Sequence, residues 1–145
     1  MTGRLEAIWL KRAKAGPMDP VDRALLENGS GLRGNANRGG RRQVTIISAE
    51  RWRELMDALA ADLDPSARRA NLMVSGLDLQ DSRGRTLRVG GTLLRINGET
   101  RPCEQMEEAH AGLQALMRER WGGGAHADVV QGGVIAVGDD VSWDG

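Results

Sequence analysis

The stretch Gly29-Ser30-Gly31-Leu32-Arg33-Gly34 spells G-x-G-x-x-G, and the β-branched run Val44-Thr45-Ile46-Ile47 follows it. The fold turns on what lies between them. A dinucleotide-binding turn works because its glycines open a helix whose N-terminus faces the pyrophosphate. Here only Asn35 to Gln43 separate the glycines from the next strand, and that stretch is rich in Asn and Gly. No helix fits, so the reading is a glycine turn between strands and not nicotinamide or flavin binding.

Working outward, Leu5 to Lys14 reads as a first strand, with Ile8 and Leu10 on one face and Pro17 and Pro20 ending it. Val21 to Leu26 resumes an extended path, and Val44 to Ile47 is the clearest strand of the chain. Ser48 is a good N-cap for a helix that carries Trp52, Leu55, Met56 and Leu59 on one face and stops at Asp64-Pro65. Asn71–Ser75, Thr86–Val89 and Leu93–Ile96 read as strands, with turns at Arg83-Gly84, Gly90-Gly91 and Asn97-Gly98. Met106, His110, Leu113, Leu116 and Met117 recur at helical spacing, predicting a second helix over 104–120 that Gly122-Gly123-Gly124 breaks. Val129-Val130, Val134–Val137 and Val141–Trp143 suggest closing strands. Strands outnumber helices and do not alternate with them as βαβ units require. The expected class is mainly β, a closed or partly closed barrel with two packed helices.

The 145 residues are expected to form one domain over 1–145, with its core between about 5 and 141. Twenty basic groups balance twenty acidic ones, so no global field points to nucleic acid or an anionic membrane. Four Trp are the only aromatics, too few for a platform that stacks single-stranded bases. One cysteine excludes an internal disulfide framework, and with two histidines it cannot supply a four-ligand zinc site of Cys and His. Arg4, Glu6 and Lys11 interrupt the N-terminal apolar residues, which argues against a signal peptide. No uncharged apolar run is longer than Val134-Ile135-Ala136-Val137, far short of a bilayer span. A cytoplasmic protein without membrane contact is expected.

Two places could carry chemistry. From Asn28 to Gln43 there are four arginines (Arg33, Arg38, Arg41, Arg42) and no acid. Flexible N–H groups beside guanidinium forks suit a phosphate or another anion; the alternative is a solvated basic loop that docks an acidic partner. Cys103, in Arg101-Pro102-Cys103-Glu104, sits where a strand ends and a helix begins. It is either a reactive thiol or buried packing. His110 and His126 lack companions at zinc spacing and read as structural or solvated. Pyridoxal phosphate needs a Schiff-base lysine, and the only two lysines, Lys11 and Lys14, lie on the first strand.

The order of the pieces resembles a known family. Gly31-Leu32-Arg33-Gly34-Asn35, Arg42-Gln43-Val44-Thr45, Arg69-Ala70-Asn71-Leu72 with Gly76-Leu77-Asp78-Leu79, Pro102-Cys103, and Gly132-Gly133-Val134-Ile135 with Val137-Gly138-Asp139 look like a stand-alone MOSC domain, related to the C-terminal part of molybdenum cofactor sulfurase. The resemblance runs from about Leu5 to Val141. It implies a β barrel of the MOSC type, and either sulfur carriage or binding of a molybdenum–pterin cofactor, as in reductases of N-hydroxylated compounds. By residue match the family cysteine, the metal ligand in cofactor-binding members, is Cys103. Arg69 and Asn71 match polar positions around the cofactor pocket, and Arg42 with Gln43 matches a recurring pair near the same cleft. The family usually has Gly-Asp and then a histidine where this chain has Gly34-Asn35 and Asn37, which removes acid–base capacity from the loop while keeping hydrogen bonding. Partners implied are a cysteine desulfurase supplying sulfur or an electron-transfer protein.

Overall fold

The structure, a computed structural model, describes residues 3–36 and 38–144. Its strands are β1 (Gly3–Lys11), β2 (Met18–Val21), β3 (Arg23–Glu27), β4 (Gly31–Leu32), β5 (Val44–Ser48), β6 (Leu72–Ser75), β7 (Thr86–Val89), β8 (Thr92–Glu99), β9 (Ala125–Gln131), β10 (Gly133–Ala136) and β11 (Asp140–Asp144). Helices α1 (Ala49–Leu59), α2 (Glu104–Ala109) and α3 (Leu113–Met117) and a 3-10 turn at Pro65–Arg68 complete the set.

Seven strands close into a barrel in the order β11-β7-β8-β9-β5-β6-β1, with β1 pairing back to β11. That last seam is short, Gly3 opposite Val141 and Arg4 opposite Asp140. A bulge between Leu5 and Ala7 re-aims β1 where it runs along β6. Strand β2 flanks β1 outside the barrel, and its Pro20 sits on that outer strand, where a missing N–H is tolerated. β5 and β6 are parallel, so the chain crosses over between them, and α1 and the 3-10 turn fill the crossover. Strands β10, β3 and β4 form a separate small sheet. The glycine motif thus contributes a two-residue strand and turns, with no helix before Ala49.

Alternation puts Leu5, Val44, Ile46, Leu72, Val74, Leu87, Val89, Leu94, Ile96, Ala125 and Ala127 inside the barrel, fully buried. At about 1.5–3 kcal/mol for each large aliphatic side chain, this interior is the main stabilising element. A second cluster outside the wall packs Trp52, Leu55 and Met56 of α1 against Met106, Leu113 and Met117 of α2 and α3. Ser48 caps α1, its hydroxyl accepting from the Arg51 N–H at 3.2 Å.

Several expectations need correction. The second helix is two pieces: His110 has an extended backbone and Gly112 has φ of 88°, so the chain turns before Leu113. Its apolar spacing persists across the break because residues of both pieces enter one apolar cluster with α1. α1 ends at Ala60 in the left-handed region, before Asp64, which instead caps the 3-10 turn. Asn97-Gly98 is not a turn; it lies within β8 at a second bulge. No described helix is long and apolar enough to cross a membrane.

Candidate functional site

A cleft of about 200 Å³ opens on the outside of the barrel wall. Lys11 at the end of β1, Asn35, Arg42 and Gln43 before β5, Thr45, then Arg68, Arg69 and Asn71 between the 3-10 turn and β6 form most of it. Thr100, Arg101, Cys103 and Gln105 complete it from the segment joining β8 to α2. All five residues singled out as a site, Cys103, Arg42, Gln43, Arg69 and Asn71, therefore line one cleft, together with Asn35. Asn37 lies outside the described residues.

Their chemistry divides. Asn71 is a brace: its Nδ2 donates to the Trp9 carbonyl at 3.1 Å and to Asn35 Oδ1 at 3.2 Å, and its Oδ1 accepts from the Thr45 N–H at 3.2 Å. Asn35 Oδ1 also accepts from the Lys11 N–H at 2.8 Å. Gln43 ties its loop to β9, accepting from the Val129 N–H at 3.0 Å and donating to the Gly40 carbonyl at 2.8 Å. These amides hold β1, β5, β6 and β9 in the arrangement that makes the cleft. Their hydrogen-bonding groups are largely used on the protein itself.

The cations face a different situation. Among the described residues five of them line the cleft (Lys11, Arg42, Arg68, Arg69, Arg101), and no carboxylate does. Arg68 is 8% exposed, and it has only main-chain partners: Nε donates to the Gly123 carbonyl at 2.9 Å, and a terminal nitrogen to the carbonyls of Thr100 at 3.2 Å and Arg101 at 3.4 Å. Burial pushes its pKa down, the Cys103 thiolate charge opposes this, and Arg42 adds to it. Arg69, in the left-handed region at φ 62°, donates to the Gly16 carbonyl at 2.8 Å. Lys11 is pushed below its ordinary value by burial, then by Arg69 and Arg42. Arg42 is exposed and has no ion-pair partner among the described residues. Arg101 is 88% exposed, 4.0 Å from Glu99.

Cys103 is exposed, and its Sγ lies 3.7 Å from Gln105 Oε1. A buried packing role is thereby excluded. Thr100 is almost wholly buried in the cleft wall, and its hydroxyl has no hydrogen-bond partner among the described residues. The glycine run sets this wall: a Cβ on Gly123 would stand 2.2 Å from the Thr100 carbonyl oxygen, so only glycine admits the approach that Arg68 then bridges.

The basic loop is less free than its sequence suggests. Glu27, just before the acid-free stretch, pairs with Arg33 at 3.1 Å and also with Arg38, and these pairs pull the Glu27 carboxyl below its ordinary value. Arg42 alone of the four arginines reaches the cleft. His126 lies opposite Thr45 across β9 and β5, and burial and then Arg42 lower its pKa. Sequence reasoning missed Arg68 and gave Lys11 no role here; the only signal was the Arg68-Arg69 doublet. No group of three or more His, Cys, Asp or Glu side chains is placed to hold a metal among the described residues.

A MOSC domain family model matches residues 32–142. Among solved structures, YuaD from Bacillus subtilis superposes with a TM-score of 0.81 at 22% identity, covering 97% of this chain and 94% of that one. YiiM from Geobacillus stearothermophilus gives 0.81 at 17% identity, over 99% and 75%. YiiM from Escherichia coli gives 0.75 at 16%, over 100% and 70%. At these identities the likeness is one of fold. No curated protein sequence matches the chain significantly.

Proposed function

Because the chain belongs to the MOSC domain family, we propose that it carries sulfur on Cys103, with the cleft cations holding the anionic group that delivers or receives it. The single observation behind this reading is an exposed thiol in a cleft whose described lining holds five basic side chains and no acid. Carriage needs one nucleophile and one anion clamp. A thiolate attacks the outer sulfur of a donor persulfide, a new S–S bond forms, and the donor thiolate leaves. Among the described residues neither carboxylate nor imidazole lines the cleft, so these residues suit group transfer better than proton-coupled reduction. A cysteine desulfurase is the kind of donor this reading calls for.

The size of the cation set favours a second reading, binding of a molybdenum–pterin cofactor. The donor set fits: Cys103 supplies a soft thiolate ligand, while Lys11, Arg42 and Arg69 suit the cofactor phosphate. The enclosed volume of about 200 Å³ is below the roughly 300–1,000 Å³ of ordinary ligand pockets, so it takes an anionic end and leaves the rest at the open mouth. The cofactor would supply two-electron redox chemistry, and an electron-transfer protein would then be the partner.

Native mass spectrometry of protein purified from its own host tests both. Sulfur added on Cys103, absent from Cys103→Ala, is the expected result. Retained pterin and metal lost in the same variant would support the second reading. A bare thiol in every preparation overturns both.

A further inference from the structure

We propose that the cleft accepts a small sulfur oxyanion, of which thiosulfate is the simplest, as a direct sulfane-sulfur donor to Cys103. The inference rests on the sulfur-carrier reading and specifies its donor. Two observations independent of the cysteine point to an anionic ligand of this size. The first is charge. Arg68 is a guanidinium with nine-tenths of its surface buried and no carboxylate partner among the described residues, and Lys11, Arg42 and Arg69 line the same cleft. Buried charge left unpaired costs several kcal/mol, so the site is poised to gain by taking up an anion. The second is the Thr100 hydroxyl, buried in the wall without a partner, a donor suited to an oxyanion oxygen.

The thiol decides what the anion is. Phosphate would fill the cleft but offers nothing for Cys103 to attack, whereas a sulfane oxyanion carries an electrophilic outer sulfur. The Cys103 thiolate attacks that sulfur, the S–S bond of thiosulfate breaks, and sulfite departs with the electron pair, leaving a persulfide on Cys103. No oxidant or reductant is consumed. Bringing a thiolate to a dianion is opposed by repulsion, and so is the build-up of charge on the leaving sulfite. Fixed cations around the reacting atoms offset both. An acceptor such as cyanide then removes the outer sulfur as thiocyanate and restores the thiolate.

The experiment incubates the full-length reduced protein with thiosulfate and cyanide, reading sulfite and thiocyanate, and records intact mass after thiosulfate alone. Sulfite should appear in step with one sulfur atom gained on Cys103, and Cys103→Ser should do neither. Arg42→Gln changes an exposed side chain with no ion pair, so it tests the clamp without unfolding the chain. The KM for thiosulfate should rise roughly ten-fold, as expected for one lost charge-assisted contact, a larger effect than on transfer from an uncharged organic trisulfide. No sulfite and no added mass overturns the proposal, as does an Arg42→Gln variant indistinguishable from wild type with thiosulfate. Uptake from a desulfurase persulfide without uptake from thiosulfate refutes this donor and leaves the carrier reading standing. Uptake from neither removes both.

Discussion

Replacing Arg68 by Met is the sharpest test of how the cleft is built. Two of its hydrogen bonds are good, to Gly123 at 2.9 Å and Thr100 at 3.2 Å; the third, 3.4 Å to Arg101, is too long to count fully. Charge-assisted bonds contribute about 1.5–3 kcal/mol each, giving about 3–6 kcal/mol gross. Removing a buried guanidinium that has no carboxylate also relieves a desolvation cost of a few kcal/mol. The net expectation is a loss of about 2–3 kcal/mol, since the carbonyls of Gly123 and Thr100 stay behind in the wall. For a domain of this size that is a fall in Tm of about 8 °C, measured by thermal and urea unfolding. Arg68→Lys keeps the charge but lacks the fork that spans two carbonyls, and it should recover only part of the loss. Sulfate should stabilise the wild type more than Arg68→Met, because the variant has one fewer cation to neutralise. A change below about 0.5 kcal/mol in Arg68→Met would mean that water replaces the guanidinium freely, and the bridging role would be refuted.

Other perturbations probe neighbouring parts. Burial, then Arg42, hold His126 below its ordinary 6.5, so the unfolded chain binds a proton that the native state resists. Stability should therefore fall as pH drops through about 6.5 and level off below the native pKa; urea midpoints across this range check it, and His126→Gln should flatten the curve. Gly123→Ala would place its Cβ 2.2 Å from the Thr100 carbonyl oxygen and should cost more than about 3 kcal/mol; a variant that melts like the wild type would show that this wall yields. Glu27→Gln frees Arg33 and Arg38 and should speed tryptic cutting after both residues without shifting the main unfolding transition. An unchanged cutting rate would mean that these pairs do not order the loop.

Much of the barrel was legible because its strands carry period-two or β-branched runs, and turns such as Arg83-Gly84 and Gly90-Gly91 punctuate them. What escaped has no local signature. Closure depends on Gly3 and Arg4 meeting Val141 and Asp140, residues joined only by the path of the whole chain. Asn-Gly is a strong hairpin signal, yet Asn97-Gly98 lies in a bulged strand, where Gly98 leaves room for the His126 ring and the Arg83 guanidinium. The break between α2 and α3 was hidden for the opposite reason. Apolar residues on both sides pack into one cluster, so the spacing reads as continuous while Gly112 redirects the backbone.

The site shows why charge counts mislead. Twenty bases against twenty acids sum to zero, but the sum says nothing of where they lie. Glu27 sits beside the acid-free loop and occupies Arg33 and Arg38, while the cleft gathers cations from β1, the loop before β5, the 3-10 turn and the segment after β8. Arg68 could not be found from sequence, because its partners are main-chain carbonyls that any residue could supply and an arginine is ordinarily exposed. The resemblance places Asn71 and Gln43 at a cofactor pocket; both line the cleft, and their hydrogen bonds brace its wall. Cys103 was found through resemblance, and spacing alone left it undecided. The positive charge of the cleft thus depends on long-range pairing that gathers distant basic residues, with no carboxylate among the described lining residues. A substitution that introduced an acid on the wall, such as Thr45→Glu, should therefore weaken anion binding even with every cation intact.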